Sequence, residues 1–584
     1  MRLQKSIAKL PVYAGIFTTI LVVPSIADPV NIPKVFTLSI AGLCCLILLA
    51  RQLSKEFLKS NIQAISLTIF FVIALLSATI QSNQTFYRSF VGTWGRNNGL
   101  FSYLALSIIF LFIATCKSSK ELMVLVIKSL TALGLFGVIY GFLQLADADP
   151  ISWVHSGNKM ILTLGNSNFA SALLGLTAVS TLISIFGFNN KRWINVVYFI
   201  SFVLQLYLTK ESDALQGLLI LLLGSFLVLG FRMRFSNSVK LKRVSFAWWG
   251  IALISSGFGI LGIFGYGPLS SFLSSSFYSL HDRYFHWLAA LNMLKSNLLA
   301  GVGIDAYGDY YRQFRLVEAI KLRGNASSGT NNAHNVFMQM GATGGLPLLV
   351  SYLVLTIFIG FRAYKSIKYF EDKFLVSAMF ALWLSFQVQS FVSIDQIGLT
   401  IWGWIIGACI VGVSYTEKSV PEVGKSNRNY SKLGTGLSPI AIITLISTLA
   451  IGLIPIAIIS NNLYKSAMLK NQINSLITSQ SVSEAEVNRN AKLLFDFSLT
   501  LNEPETRMTA INILLRANAI ELALELSEET ARKFPKHYYA WDQVAIIYEG
   551  TNRKKLAIPA RIKMIELDPL NEDIRKLLEQ DKSI

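Results

Sequence analysis

Apolar runs close to the ~20 residues needed to cross a lipid bilayer recur along most of the first 460 residues of this chain. Hydrocarbon offers no partner to backbone N–H and C=O groups, so each such run must satisfy its own hydrogen bonds as a helix. Composition agrees: 53% of the 584 residues are hydrophobic, 15% are charged, and the mean hydropathy is +0.51. That balance excludes an ordinary soluble globular protein. The expected fold class is all-α, a polytopic membrane helix bundle of about thirteen spans, with a long outer loop and a small helical C-terminal domain. The spans are expected at roughly 11–27, 36–50, 62–80, 99–116, 121–145, 168–188, 193–209, 214–231, 246–264, 344–361, 374–393, 396–413 and 438–460. The first is read as a span and not as a cleaved leader, because no small-residue cleavage site follows it and a second span comes at once.

A net charge of +19 raises the possibility of a nucleic-acid partner, but its distribution argues against one. Lysines and arginines gather in alternate connections: Arg2 to Lys9, Arg51 to Lys59, Lys117 and Lys120, Lys191 and Arg192, Arg232 to Arg243, Arg362 to Lys373, and Lys418 to Lys432. The positive-inside rule therefore predicts a cytoplasmic N-terminus. With thirteen spans, the connection 265–343 and everything after residue 460 then lie on the outer face. The four cysteines, Cys44, Cys45, Cys116 and Cys409, fall inside predicted spans and read as small apolar residues. No phosphate-binding glycine loop, HExxH or metal-spaced carboxylate pair is present, so no cofactor and no metal are expected.

The chain divides into a membrane domain, 1–460, an extracytoplasmic loop within it, 265–343, and an extracytoplasmic helical tail, 461–584. In the tail Pro535 and Pro569 are 34 residues apart, the tetratricopeptide period. Trp541, Val544, Ala545, Tyr548 and Ala557 fall on that repeat's preferred positions, and Ala523 with Pro535 repeats the pattern more weakly. A generic stack of helical hairpins is the simpler alternative. Either way the tail reads as a docking surface for a protein partner and not as a catalytic domain.

The outer loop carries the candidate chemistry. HDRYFHWLAALNMLKSN places Tyr284, Trp287, Leu288, Leu291 and Leu294 at spacings of three and four, which predicts an amphipathic helix with Trp287 at headgroup level. Arg283 begins it, and its planar fork suits phosphate oxygens or lipid headgroups. LLAGVGIDAYGDYYRQFR predicts a glycine turn and a second helix on which Arg312 and Arg315 share a face, as phosphate ligands or as a solvated surface. GTNNAHNVFMQMG holds one ionisable side chain, His334, among Asn331, Asn332 and Asn335. A neutral imidazole can take a proton from a hydroxyl while neighbours orient it; a lone loop histidine can equally be structural.

Taken together, RYFHW, GVGIDAY and AHNVFMQMGATGGLP resemble the signature of the O-antigen ligase and polymerase superfamily of bacterial membrane glycosyltransferases. The matching residues are Arg283, Trp287, Gly301, Val302, Gly303, Tyr307, Ala333, His334, Asn335, Phe337, Gln339, Gly341, Gly345, Leu346 and Pro347. GTWGRNNG, with Arg96, and LGNSNFASALL are similar in the same sense, so the resemblance spans about 85–415, and a tetratricopeptide-like tail also occurs in branches of the superfamily. It implies a metal-independent transfer of a glycan from an undecaprenyl-pyrophosphate carrier to a hydroxyl acceptor, lipid or protein, at the outer face of the cytoplasmic membrane. His334 is then the base; Arg283 binds the pyrophosphate, with Arg96, Arg312 and Arg315 as further cations; Asn332, Asn335 and Gln339 support them. Ligases of this group often carry an arginine before the eighth span, where this chain reads LTKESDALQG and Lys210 is the available cation.

A glycan polymerase or a protein O-oligosaccharyltransferase would use the same donor with another acceptor. Two readings of other classes stay open: a transporter component, which predicts interrupted spans with ionisable residues at mid-membrane, and a scaffold in which His334 and Arg283 are dispensable.

Overall fold

The computed structural model describes residues 8–82, 84–116, 119–153, 160–263, 278–416 and 439–583, and among these it contains helices and no strand. The first eleven helices are α1 (Leu10–Ile20), α2 (Asn31–Ala50), α3 (Lys55–Ser60), α4 (Ile62–Ile80), α5 (Phe86–Val91), α6 (Leu100–Ala114), α7 (Ser119–Leu145), α8 (Ser167–Gly187), α9 (Arg192–Glu211), α10 (Leu215–Arg234) and α11 (Val239–Ile263). The loop read from sequence as 265–343 contributes α12 (Tyr278–Ser296), α13 (Tyr307–Phe314) and α14 (Val317–Arg323). Next come α15 (Val336–Tyr369), α16 (Lys373–Val392), α17 (Ile397–Thr416) and α18 (Pro439–Ser479). The tail holds α19 (Glu484–Leu499), α20 (Pro504–Arg516), α21 (Ile520–Lys533), α22 (Tyr538–Gly550), α23 (Lys554–Leu567) and α24 (Glu572–Ser583).

Among the described residues nine helices are long and apolar enough to cross a membrane, namely α2, α4, α7, α8, α9, α10, α15, α16 and α17, and α1 and α6 are shorter apolar helices. The predicted spans 246–264 and 438–460 fall partly on side chains outside the described residues. The apolar surface is not all internal. Helix α9 exposes Trp193, Val196, Phe199, Ile200, Val203 and Tyr207, a stripe at helical spacing that water would not tolerate and lipid would. By contrast the whole apolar stretch of α17 is buried, with α1, α6, α7, α15 and α16 packed around it.

In lipid, helices gain little by hiding apolar surface from one another, so close packing and interhelical hydrogen bonds must hold them. Helix α8 shows both. A Cβ on Gly175 would stand 2.4 Å from the carbonyl oxygen of Gly217 on α10, so the two backbones touch there. Thr177 donates to Gln205 Oε1 of α9 at 2.7 Å, and Gln205 Nε2 donates to Thr181 at 3.2 Å.

Several boundaries differ from the sequence reading: α1 ends at Ile20, ahead of 27, α11 starts at Val239, ahead of 246, and α18 runs on to Ser479, past the expected domain boundary at 460. At two others the physical reason is visible. Helix α2 starts at Asn31, ahead of the expected 36, because Lys34 is buried: its ammonium donates to the terminal carbonyls of α1, Thr19 O at 2.8 Å and Leu21 O at 3.1 Å. Helix α15 starts at Val336, well before 344, and is broken at Gly345, where φ is +69°. The break is filled by backbone: Leu346 N–H donates to Leu298 O at 2.7 Å, while Val302 and Gly303 N–H donate to Ala342 O and Thr343 O at 2.8 and 3.1 Å. A Cβ on Gly345 would lie 2.6 Å from the carbonyl carbon of Leu299, and one on Gly301 would lie 2.3 Å from Ala342 O. The GVG and GATGGLP segments are therefore two halves of one backbone joint.

The six tail helices pack each on the next, and their starts recur at a fixed interval: Pro504, Tyr538 and Glu572 are 34 residues apart, as are Ile520 and Lys554. The tail rests on the loop that carries α13 through two buried ion-pair clusters. Arg312 and Arg315 converge on Asp568, and Arg88 bridges Asp309 at 2.8 Å to Glu505 at 2.9 Å.

Candidate functional site

His334 sits one residue before the N-cap of α15 in a left-handed backbone conformation, φ +50°. A non-glycine residue held there costs on the order of 1–3 kcal/mol, so surrounding bonds must enforce it. They do. His334 N–H donates to Asn332 Oδ1 at 3.0 Å, Asn335 Oδ1 caps α15 by accepting from Met338 N–H at 3.1 Å, and Gln339 Oε1 accepts from Ala333 N–H at 2.9 Å. All three supporting residues named from sequence surround His334, but they hold its backbone and not its ring.

The ring is placed by a residue the sequence reading passed over. His334 stacks on His286, centroids 5.2 Å apart and planes inclined by 26°. His286 is locked in turn: its backbone carbonyl accepts from Tyr307 OH at 2.8 Å, and Arg323 lies 2.7 Å from its Nε2. Arg323 also forks onto Asp282 at 2.7 and 2.6 Å. A guanidinium only donates, so His286 Nε2 is the acceptor and its proton belongs on Nδ1. The signal was present: His286 follows Arg283 by one helical turn and lies between Arg283 and Trp287.

Electrostatics keep both imidazoles uncharged. Burial, the neighbouring His286 and the positive charges of Arg283 and Arg96 push His334 down to about 3, with Asp282 opposing. His286 is held at about 4, chiefly by burial. Arg283 and Arg96 are thus close enough to act on the His334 ring although they lie far apart in sequence. Among the described residues neither guanidinium has a hydrogen-bond or ion-pair partner; Arg96 lies over the Phe169 ring at 5.7 Å. Asp282 acts on Arg283, and Asp305 and Asp28 on Arg96, without a described direct ion pair, which leaves the fork of each part-buried guanidinium open to an anion.

Beside them opens a cavity of about 480 Å³, its mouth included, lined by Arg96, Asn98, Asp305, Asn332, Gln339 and Asp395 among others. His334 and Arg283 stand outside its lining. Asp305 accepts from Thr93 N–H at 2.6 Å, and burial pushes its carboxyl up to about 6. Asp395 accepts from Tyr103 OH at 2.7 Å and Thr400 at 3.0 Å, and burial raises it too. Asp305 was hidden in the unspecified positions of GVGxxxY; nothing in the local pattern marks it as polar core.

The remaining sequence candidates lie elsewhere. Arg312 and Arg315 are neither solvated nor open: they are 3% and 4% exposed. Arg315 reaches both oxygens of Asp568 at 2.7 Å, and Arg312 donates to Asp568, Ser327 O and Tyr539 OH while lying 4.0 Å from the Tyr538 ring centroid. Lys210 is exposed at the end of α9, with no described bond to the His334 cluster. Trp287 packs edge-to-face on Phe391 of α16 at 5.6 Å, which seats α12 against the bundle. A scan against protein-family models and a search of curated proteins return no match for the chain.

Proposed function

We propose that this chain transfers a glycan from an undecaprenyl-pyrophosphate carrier to a hydroxyl acceptor at the outer face of the cytoplasmic membrane, as an O-antigen ligase-like, metal-independent glycosyltransferase. The observation that carries the reading is a neutral, part-buried imidazole, His334, in the field of two guanidiniums, Arg283 and Arg96, that make no described direct ion pair.

In this reading the acceptor O–H donates to His334, and its oxygen attacks the anomeric carbon. The bond from that carbon to the carrier's phosphate oxygen breaks, and the electron pair leaves on the diphosphate. Arg283 and Arg96 meet that developing charge as fixed cations in a partly dry site. The same cations depress the basicity of His334 while the site is empty. A bound diphosphate offsets their charge, so the imidazole becomes a better base only when donor is present. Arg312, Arg315 and Lys210 take no part, the first two because Asp568 and loop carbonyls already hold them. A polymerase or a protein O-oligosaccharyltransferase differs only in acceptor. The transporter reading draws less support, because the interrupted α15 directs its freed backbone groups to residues 298–303 and not to a solute path.

The test is transfer from a lipid-linked glycan in membranes. His334→Ala should lower it by about 10²–10⁴-fold, the usual worth of general base catalysis, with insertion and expression unchanged. Arg283→Lys should restore only part of what Arg283→Ala loses, since an ammonium lacks the planar fork. Retained transfer in His334→Ala would sink the mechanism.

A further inference from the structure

Arg312 and Arg315 hold more than the tail. Their remaining donors reach the segment that leads into His334. Arg315 donates to Ala326 O at 2.8 Å and to Ser328 O at 2.9 Å, and Arg312 donates to Ser327 O at 2.5 Å. Arg323 reaches the next carbonyl, Gly329 O, at 3.3 Å. Four consecutive carbonyls are thus tied to three guanidiniums. A surface turn does not need such ties, because water satisfies its carbonyls equally well. Their effect is positional: they fix where the chain stands just ahead of His334.

Helix α13 is a second link to the same place. Its eight residues are too few to stay helical by themselves, so its neighbours decide where it stands. Tyr307 and Tyr311, one turn apart, close on His286. Tyr307 OH donates to the His286 carbonyl at 2.8 Å, and the Tyr311 ring meets the His286 ring edge-on at 5.5 Å. Gly308 lies against the approach to His334, since a Cβ there would stand 2.9 Å from Asn331 Cα. The other end of the helix is the part the tail holds, through Arg312 and Arg315 on the fully buried Asp568. One short helix therefore braces both imidazoles at one end and is anchored by the tail at the other.

Without the anion at 568, two guanidiniums buried to 3% and 4% exposure lose their counter-charge. Relief comes from carrying them to water, which unwinds the end of α13 and releases the carbonyls of 326–328. His334 is the residue most sensitive to that release, because its left-handed backbone persists only while its surroundings enforce it. We infer that the tail is a positioning element of the His334 site: Asp568, acting through Arg312, Arg315 and α13, sets the register in which the imidazole is presented. None of these three residues touches the reacting groups. The bearing on catalysis rests on the transfer reading above; the mechanical coupling does not.

The test uses the full-length protein in lipid nanodiscs and compares two tail variants. Asp568→Asn removes the anchor, whereas Asp581→Asn breaks a buried pair with Arg561 inside the tail. Amide exchange over 326–335 should be about tenfold faster in Asp568→Asn, the mark of a local opening made easier. Asp581→Asn should speed exchange only within 554–583. His334 is neutral at pH 6 in the native protein. In Asp568→Asn its ¹⁵N signals should show partial protonation there, as the ring regains water and its ordinary proton affinity. In the transfer assay Asp568→Asn should lower kcat by about 10–100-fold with little change in KM for the lipid-linked donor, the signature of a displaced reacting group. Asp581→Asn should keep the native kcat. Tyr539→Phe removes only the tail hydroxyl that meets Arg312 and should move exchange and kcat the same way by a smaller factor; it carries the test if Asp568→Asn fails to insert. Unchanged exchange over 326–335 with an unchanged His334 signal, or an equal loss of kcat in Asp581→Asn, would overturn the coupling. A native protein without transfer activity would remove the transfer reading alone, and the exchange and histidine signals would still decide the coupling.

Discussion

The imidazole of His334 lies on that of His286, centroids 5.2 Å apart, so the candidate base is braced by a second histidine whose own Nε2 faces Arg323. Both rings are held well below the ordinary histidine range, at about 3 and about 4. In the unfolded chain both titrate near 6.5.

This has a pH consequence. Between about pH 6.5 and pH 4 the unfolded state binds protons that the folded state refuses, so stability must fall as pH drops through that window. Thermal unfolding followed from pH 7.5 to 5 should show the loss. The double variant His286→Phe, His334→Asn should show a smaller decline. An equal decline would mean that other groups dominate. Titration of ¹⁵N-labelled histidine should also find His334 neutral at pH 6, and its proton affinity should rise when inorganic pyrophosphate is added.

Asp568 is fully buried and accepts from two arginines, Arg312 and Arg315, at the end of α13. Asp568→Asn leaves two cations with no counter-charge, a loss of about 3–5 kcal/mol by analogy with broken buried pairs. The expected outcome is release of the tail from the loop, read as faster hydrogen exchange in 317–335 and 538–583. Unchanged exchange there would show that the Arg88 cluster alone holds the tail.

Glycine positions in α15 provide an internal control. Gly345→Ala forces a side chain onto φ +69° and into the carbonyl carbon of Leu299, and should abolish a stable joint with 298–303. Gly360→Ala, in the same helix, meets nothing within 4 Å and should be neutral or stabilising by about 0.5–1 kcal/mol. Comparable thermal stability of the two variants would contradict the joint described above.

Much of this molecule can be read from its residues in order. Apolar runs of bilayer length demand helices wherever they occur, because the backbone has no other partner in hydrocarbon. A 34-residue interval between prolines anticipates the interval between tail helix starts, since each helix pair must bury its face against the next. The positions of Arg283, Arg96 and His334 could be nominated from local pattern, and the fold brings all three within electrostatic reach. The backbone supports Asn332, Asn335 and Gln339 could be nominated too, but the groups that brace the His334 ring could not. Asp282, Arg323 and His286 come together only when α12 and α14 pack, and Asp305 only when the turn after α5 closes on it.

The arginines make the division plain. Arg283, Arg96, Arg312 and Arg315 are chemically identical, and the sequence offers each of them to a phosphate. Asp568, 253 residues beyond Arg315, decides otherwise for two of them by arriving in the folded state. A guanidinium's task depends on which anion the completed fold brings to it, and that long-range meeting is what local pattern does not encode.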